Sequence, residues 1–175
     1  MSADHGEPFR HRVVATQLGD VIVVARADAL THVFLPGAGP ADEGLETVAS
    51  PGPDELLDEA ARQLGEYFSG TRQEFDLPLD LREPETTEFE RDTWSALATI
   101  PYGETISYAT QAERIGRTGA FRAVGATNGR NPLPIVLPCH RVVGADGSLV
   151  GFGGGLPLKR ALLDLESGVQ QLPLG

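Results

Sequence analysis

The first third of the chain carries its apolar residues in short blocks. Val13-Val14-Ala15-Thr16 and Val21-Ile22-Val23-Val24 flank the turn-forming pair Gly19-Asp20, which predicts a β-hairpin turning at 19–20. Thr31 to Leu35 reads as a third strand, stopped by Pro36-Gly37. Ala38 to Pro53 is rich in Gly, Pro and acids and reads as a loop. The period then changes. Asp54 is a good N-cap, Leu56, Leu57, Ala60, Ala61, Leu64, Tyr67 and Phe68 recur at helical spacing, and Gly70 ends the run. Phe75, Leu77, Leu79 and Leu81 alternate as in a strand, which Pro78 confines to a sheet edge.

Arg82-Glu83-Pro84-Glu85 reads as a linker, dividing the chain into residues 1–85 and 86–175. Beyond it the pattern is helical. Thr87 and Glu90 have the spacing of a capping box for a helix to about Ile100, with Trp94 and Leu97 inward. Pro101-Tyr102-Gly103 breaks it. Ser107 caps a short helix ending near Gly116, and a second covers Ala120 to Asn128. Joined by Gly116-Arg117-Thr118-Gly119, the two have the outline of a helix-turn-helix, although such hairpins also occur in cores that bind nothing. A Pro-punctuated loop (Asn131 to Pro138), a Gly-rich stretch (Gly151 to Gly155) and a last helix from about Pro157 to Glu166 complete the chain.

Composition narrows the class. The 175 residues are 41% hydrophobic and 22% charged, ordinary for a globular protein and against disorder. The longest apolar run, Val21 to Ala25, is too short to span a bilayer, and no secretory signal is visible, so a cytoplasmic protein with no membrane partner is expected. The net charge of −11 disfavours nucleic acid only at first sight. Residues 1–85 carry all of it, and residues 86–175 are neutral. From Thr105 to Ala145 five arginines (114, 117, 122, 130 and 141) face one acid, Glu113. Phosphate neutralisation is local, so this segment matters more than the total.

The single cysteine, Cys139, excludes an intrachain disulfide, a multi-cysteine zinc site and thiol–disulfide cycling within the chain. It is also the strongest nucleophile candidate. His140 and Arg141 follow it, and proton-accepting or cationic neighbours favour the thiolate. The bland alternative is a small buried thiol beside a core histidine. In an extended segment Cys139 and His140 point to opposite faces, so cooperation needs a turn or a bridging water. His5, His11, His32 and His140 show no metal-ligand spacing, and no metal is expected.

Asn131-Pro132 followed by Pro138-Cys139-His140-Arg141-Val142 resembles the active-site signature of the O6-alkylguanine-DNA alkyltransferases. Pro101-Tyr102-Gly103-Glu104-Thr105 and Ser107-Tyr108 resemble the family's entry into its helix-turn-helix. Arg122-Ala123-Val124-Gly125 resembles its recognition helix, and Gly151 to Leu156 with Lys159, Leu162-Leu163 and Glu166 resembles its closing segment. The likeness is close from Trp94 to Glu166. Over residues 1–85 it is one of layout only.

The resemblance implies a two-domain α+β protein. An N-terminal α/β domain of ribonuclease-H-like layout would support a mainly helical C-terminal domain with a winged helix-turn-helix. It implies irreversible, single-turnover transfer of an alkyl group from O6 of guanine, and from O4 of thymine, in double-stranded DNA to Cys139. His140 would be the base acting through a water, Glu166 its orienting carboxylate and Asn131 a hinge residue. Arg122 would fill the gap left by a base flipped through the minor groove, and Tyr108 would crowd the adjacent phosphate and hydrogen-bond the base. Ala123, Gly125, Arg130, Phe152 and Gly153 would complete the DNA contact. No cofactor and no obligate protein partner are implied, and the protein would act as a monomer. There are four departures from the pattern: Phe152 stands where Tyr is frequent, Gly153 where some members have Ser, Phe121 where a small residue is usual, and the helix around Ala109-Thr110-Gln111-Ala112 is less apolar than usual.

Other readings remain open from residues alone. A lesion-binding relative without transfer would lack the cysteine, and a methylation-activated regulator would carry a cysteine-rich zinc domain. A cysteine hydrolase using Cys139 and His140 would turn over, and a structural domain would leave the thiol inert.

Overall fold

A computed structural model describes residues 6–168; His5 lies outside them. The chain divides into two units, Met1–Asp80 and Leu81–Gly175.

In the first unit, β1 (Phe9–Thr16), β2 (Gly19–Arg26) and β3 (Ala29–Phe34) form an antiparallel meander. The hairpin turns at Gln17-Leu18, two residues before the expected site: Gly19 pairs with Thr16 as the first residue of β2. Gly19 still has a reason to be glycine. Its φ is +117°, and a Cβ there would lie 2.8 Å from Pro36. The expected loop at 38–53 also contains structure. A 3-10 turn at Pro40–Glu43 leads into β4 (Thr47–Ala49), which pairs in parallel with β1 and gives the order β3-β2-β1-β4.

Helix α1 (Glu55–Phe68) starts at Asp54, whose carboxylate accepts from Leu57 N–H at 3.1 Å. It buries Leu57, Ala60, Leu64, Tyr67 and Phe68 against the sheet, each large side chain contributing about 1.5–3 kcal/mol by leaving water. Gln63 is buried as well, held by the backbone of Asp76 at 3.0 and 2.9 Å. The alternating segment 75–81 is not a strand. It touches β3 through one bridge, Leu30 to Leu79, while the Phe75 ring packs 5.4 Å from that of Tyr67. Pro78 has no N–H to extend a ladder, and its carbonyl accepts from Leu30 instead.

In the second unit, α2 (Glu88–Leu97) begins with the expected capping box, Thr87 and Glu90 bonding reciprocally, and ends three residues before Ile100. Trp94 and Leu97 are buried, and the Trp94 indole donates to the Thr127 carbonyl at 2.8 Å. Helix α3 (Tyr108–Arg114), capped by Ser107, and α4 (Phe121–Asn128) follow. The turn between them passes through Gly116 and Gly119, both at positive φ. Two residues of β5 (Ile106–Ser107) pair in parallel with β6 (Val142–Val143), and α5 (Leu156–Ser167) closes the unit. The architecture is therefore α+β in two parts, a sheet unit and a helical one.

Candidate active site

Three elements meet at Cys139. The loop from Asn131 to Pro138 is drawn tight by the Asn131 side chain, which donates to Leu137 O at 2.8 Å and accepts from Leu133 N–H at 2.9 Å. Within it the buried, β-branched Ile135 has φ +75°, a conformation costing on the order of 1–3 kcal/mol and held by the surrounding packing. The chain then turns through a 3-10 helix, Cys139–Arg141. This turn takes His140 and Arg141 inward, while Cys139 faces a pocket.

Behind the cysteine is a buried charge cluster. His140 Nε2 lies 2.5 Å from Glu166 Oε2. Arg141 donates to the same carboxylate through Nε at 2.6 Å and Nη2 at 3.2 Å, and to the Ile100 carbonyl at 2.7 Å. The Gly103 N–H adds a contact to Glu166 Oε1 at 3.3 Å. Burial pushes the Glu166 carboxyl up, but hydrogen bonds and charge from His140 and Arg141 outweigh it and hold it at about 2. Burial lowers His140 below its ordinary value against the pull of Glu166, with Arg141 and Lys159 adding to the lowering. At neutral pH the cluster is an anionic carboxylate, a cationic guanidinium and an uncharged imidazole. With Nε2–H donating to Glu166, Nδ1 is the basic nitrogen.

The thiol is not acidified by its neighbours, contrary to the reading from adjacency. Burial raises Cys139 above the ordinary thiol value, while the Asn131 side chain and the Lys159 charge oppose the rise without cancelling it. The physical reason is burial, which removes the water that would solvate a thiolate, while the adjacent Arg141 is committed to Glu166. Cys139 is 7% exposed and rests as a protonated thiol.

The pocket it faces holds about 150 Å³ and is lined by Tyr108, Gly125, Asn128, Cys139, Phe152 and Gly153, with Gly129 and Gly151. The Tyr108 hydroxyl donates to Val150 O at 2.8 Å, and Gly125 lies against the Tyr108 ring. A Cβ at Gly125 would sit at an ordinary 3.6 Å from that ring, so glycine is not sterically required there.

The structure thus groups Cys139, His140, Glu166, Asn131, Tyr108, Gly125, Phe152 and Gly153. Arg122 and Ala123 lie apart, on the exposed face of α4, and Arg130 is exposed just beyond its C-terminal end, 3.3 Å from Glu90. Sequence reasoning assigned no role to several groups here. One is the Arg141–Glu166 pair. Another is Lys159, fully buried on α5, whose Nζ donates to Val142 O at 2.7 Å and lies 3.4 Å from the Tyr108 hydroxyl. A third is the amide pair of Gln111 and Asn128, exchanging bonds of 2.7 and 3.1 Å beneath the pocket. The low apolar content of the segment Ala109-Thr110-Gln111-Ala112 was the available signal for the last. Among the described residues no group of three His, Cys, Asp or Glu side chains could hold a metal, and no helix is long and apolar enough to cross a membrane.

Comparison with known proteins agrees across both units. Residues 88–168 match the family model for the 6-O-methylguanine DNA methyltransferase DNA binding domain, and residues 9–81 that for its ribonuclease-like domain. A methylated-DNA–protein-cysteine methyltransferase of Mycobacterium tuberculosis is 44% identical over 158 residues, covering 90% of this chain and 92% of that one. One from Mycolicibacterium paratuberculosis is 60% identical over 107 residues, 61% of this chain and 63% of its own. A crystal structure of Mycobacterium tuberculosis OGT in complex with DNA superimposes with a TM-score of 0.81 at 41% identity, covering 91% of this chain and 94% of that one.

Proposed function

The chain belongs to the 6-O-methylguanine DNA methyltransferase family, and on that premise we propose that it repairs duplex DNA by moving the alkyl group from O6 of guanine, or O4 of thymine, onto Cys139. It is a DNA-binding methyltransferase of alkylated-DNA repair. The observation that carries the residue-level reading is a cysteine facing a small pocket with an imidazole–carboxylate–guanidinium cluster buried directly behind it.

The chemistry follows from the resting state. A protonated thiol is a poor nucleophile, so the proton must leave as the lesion enters. His140 Nδ1 takes it through a bridging water, and the Glu166 carboxylate stabilises the imidazolium that forms. Arg141 keeps that carboxylate ionised, so the proton stops on the histidine. The thiolate sulfur attacks the alkyl carbon, an S–C bond forms, the C–O6 bond breaks, and its electron pair stays on guanine, which takes up a proton. The thioether is a poor leaving group and no second thiol is available, so each chain acts once.

The target atom is unreachable inside a stacked duplex, so the nucleotide is turned out into the pocket. Arg122 fills the vacated place through the minor groove, Tyr108 crowds the neighbouring phosphate and hydrogen-bonds the base, and Phe152 packs on it beside Gly153. Ala123 and Gly125 allow close approach, Arg130 meets phosphate, and Asn131 ties the recognition helix to the active-site loop. The sheet unit, residues 1–85 on this reading, supports the helical one.

Intact-protein mass after incubation with excess duplex carrying one O6-methylguanine tests this. One methyl per chain, mapped to Cys139, absent in Cys139→Ala and not exceeded with time, is the expected result. Continued turnover, or tight binding without transfer, would overturn it.

A further inference from the structure

Phe121 is the first residue of α4 and is 47% exposed, the most exposed large apolar side chain among the described residues of the helical unit. It contributes little to the core, which α4 reaches through Val124, Thr127 and Asn128. The rest of the helix's outer face is small or basic, with Arg122, Ala123 and Ala126 exposed, and Gly129 and Arg130 just beyond its end are exposed as well. The first turn of α4 carries no acid. The Arg122 guanidinium lies 5.9 Å from the centre of the Phe121 ring and makes no ion pair among the described residues. An aromatic ring and a guanidinium without an ion-pair partner among the described residues therefore stand side by side at the start of the second helix of a helix-turn-helix.

Flat rings and apolar side chains that reach DNA lodge between base steps, where an aromatic face stacks on any base and a guanidinium stacks as well. We propose that the Phe121 ring stacks on the base pair bordering the gap that Arg122 fills on the alkyltransferase reading, so that the two side chains act as one wedge in duplex DNA. The occupant of this surface is double-stranded DNA. The family model covering these residues is that of a DNA binding domain, and the arginine-rich segment around α4 is complementary to phosphate. The inference rests on the alkyltransferase reading and deepens it, naming a stacking residue where a small side chain is usual. A phenyl ring stacks on whatever base flanks the gap, so the wedge stabilises the open duplex without selecting sequence.

The test compares wild type, Phe121→Ala and Phe121→Trp in single-turnover methyl transfer from duplex O6-methylguanine. The rate of Cys139 alkylation by iodoacetamide without DNA serves as a control for the site itself. Loss of one stacked ring should slow duplex transfer about tenfold in Phe121→Ala, with recovery in Phe121→Trp. Iodoacetamide reactivity and the salt dependence of DNA affinity should not change, because neither the thiol environment nor a phosphate contact is altered. An unchanged duplex rate in Phe121→Ala, a loss shared by the iodoacetamide reaction, or no recovery with Trp would overturn the wedge while wild-type transfer leaves the repair reading intact. Absence of transfer in wild type would overturn both.

Discussion

At the scale of single residues, the site depends on how one buried carboxylate is shared. Glu166 has a side chain 1% exposed and serves His140 through one oxygen and Arg141 through both. Glu166→Gln would leave the Arg141 guanidinium, 7% exposed, without a counter-charge, and loss of one partner of a buried pair costs about 3–5 kcal/mol. Urea denaturation should show that loss, and methyl transfer should slow because the imidazolium loses its stabiliser. The pH dependence has a definite sign. His140 is held below 6.5, so its free form exists throughout the neutral range and the transfer rate should fall only as pH drops below that value. Stability moves the same way. A histidine that binds its proton more weakly when folded contributes fully above pH 6.5 and loses that contribution below it. Glu166, lowered from 4.5 to about 2, adds a second loss between those values. Urea midpoints measured from pH 8 to pH 3 should decline throughout the acid limb, and a maximum near pH 5 would contradict this assignment.

At the scale of elements, the helical unit is set by caps and by a few polar links between helices. The Thr87–Glu90 box satisfies two N-terminal groups of α2. Thr87→Ala should cost about 1 kcal/mol in denaturant unfolding and leave the transfer rate unchanged, since Thr87 bonds only to Glu90 and Arg91 of its own helix among the described residues. The boundaries of α1, α3 and α4 follow from signals confined to one or two turns: Asp54, Ser107, and the glycines at 116 and 119. Segment 75–81 shows the limit of such reasoning. Its alternation is that of a strand, yet a ladder needs a partner along its length, and β3 supplies only the Leu30 bridge. The reverse holds for β4, three residues with no strand signal that pair because β1 presents an open edge.

At the scale of the whole molecule, charge is partitioned. The chain carries −11 overall, but all of it lies in residues 1–85. A protein this acidic binds DNA if its basic groups are local to the contact, and the prediction is quantitative. Affinity for undamaged duplex should fall linearly in log–log form with salt, and Arg130→Ala should reduce the slope by about 1 if Arg130 meets a phosphate. The loss should be equal on lesion-bearing and undamaged DNA, because a phosphate contact carries no information about the base. Fluorescence anisotropy across a salt series measures both. A loss confined to lesion-bearing DNA would place Arg130 at the flipped base instead.

Reading the chain alone was enough for whatever rests on neighbours within a few residues. Capped helices, the helix-turn-helix outline and the cysteine with its following histidine come from periodicity, caps and adjacency, which act over one or two turns. The candidate acceptor and base were legible because adjacent residues carry them, and Glu166 was named through resemblance. The tertiary structure decided what depends on partners far apart in the chain. It turned Arg141 toward Glu166, buried Lys159 and the Gln111–Asn128 pair, and gave β4 its partner. It also reversed the expected state of the thiol. Adjacency counts neighbouring charges, whereas burial removes the water that would solvate a thiolate, and at Cys139 the desolvation is larger.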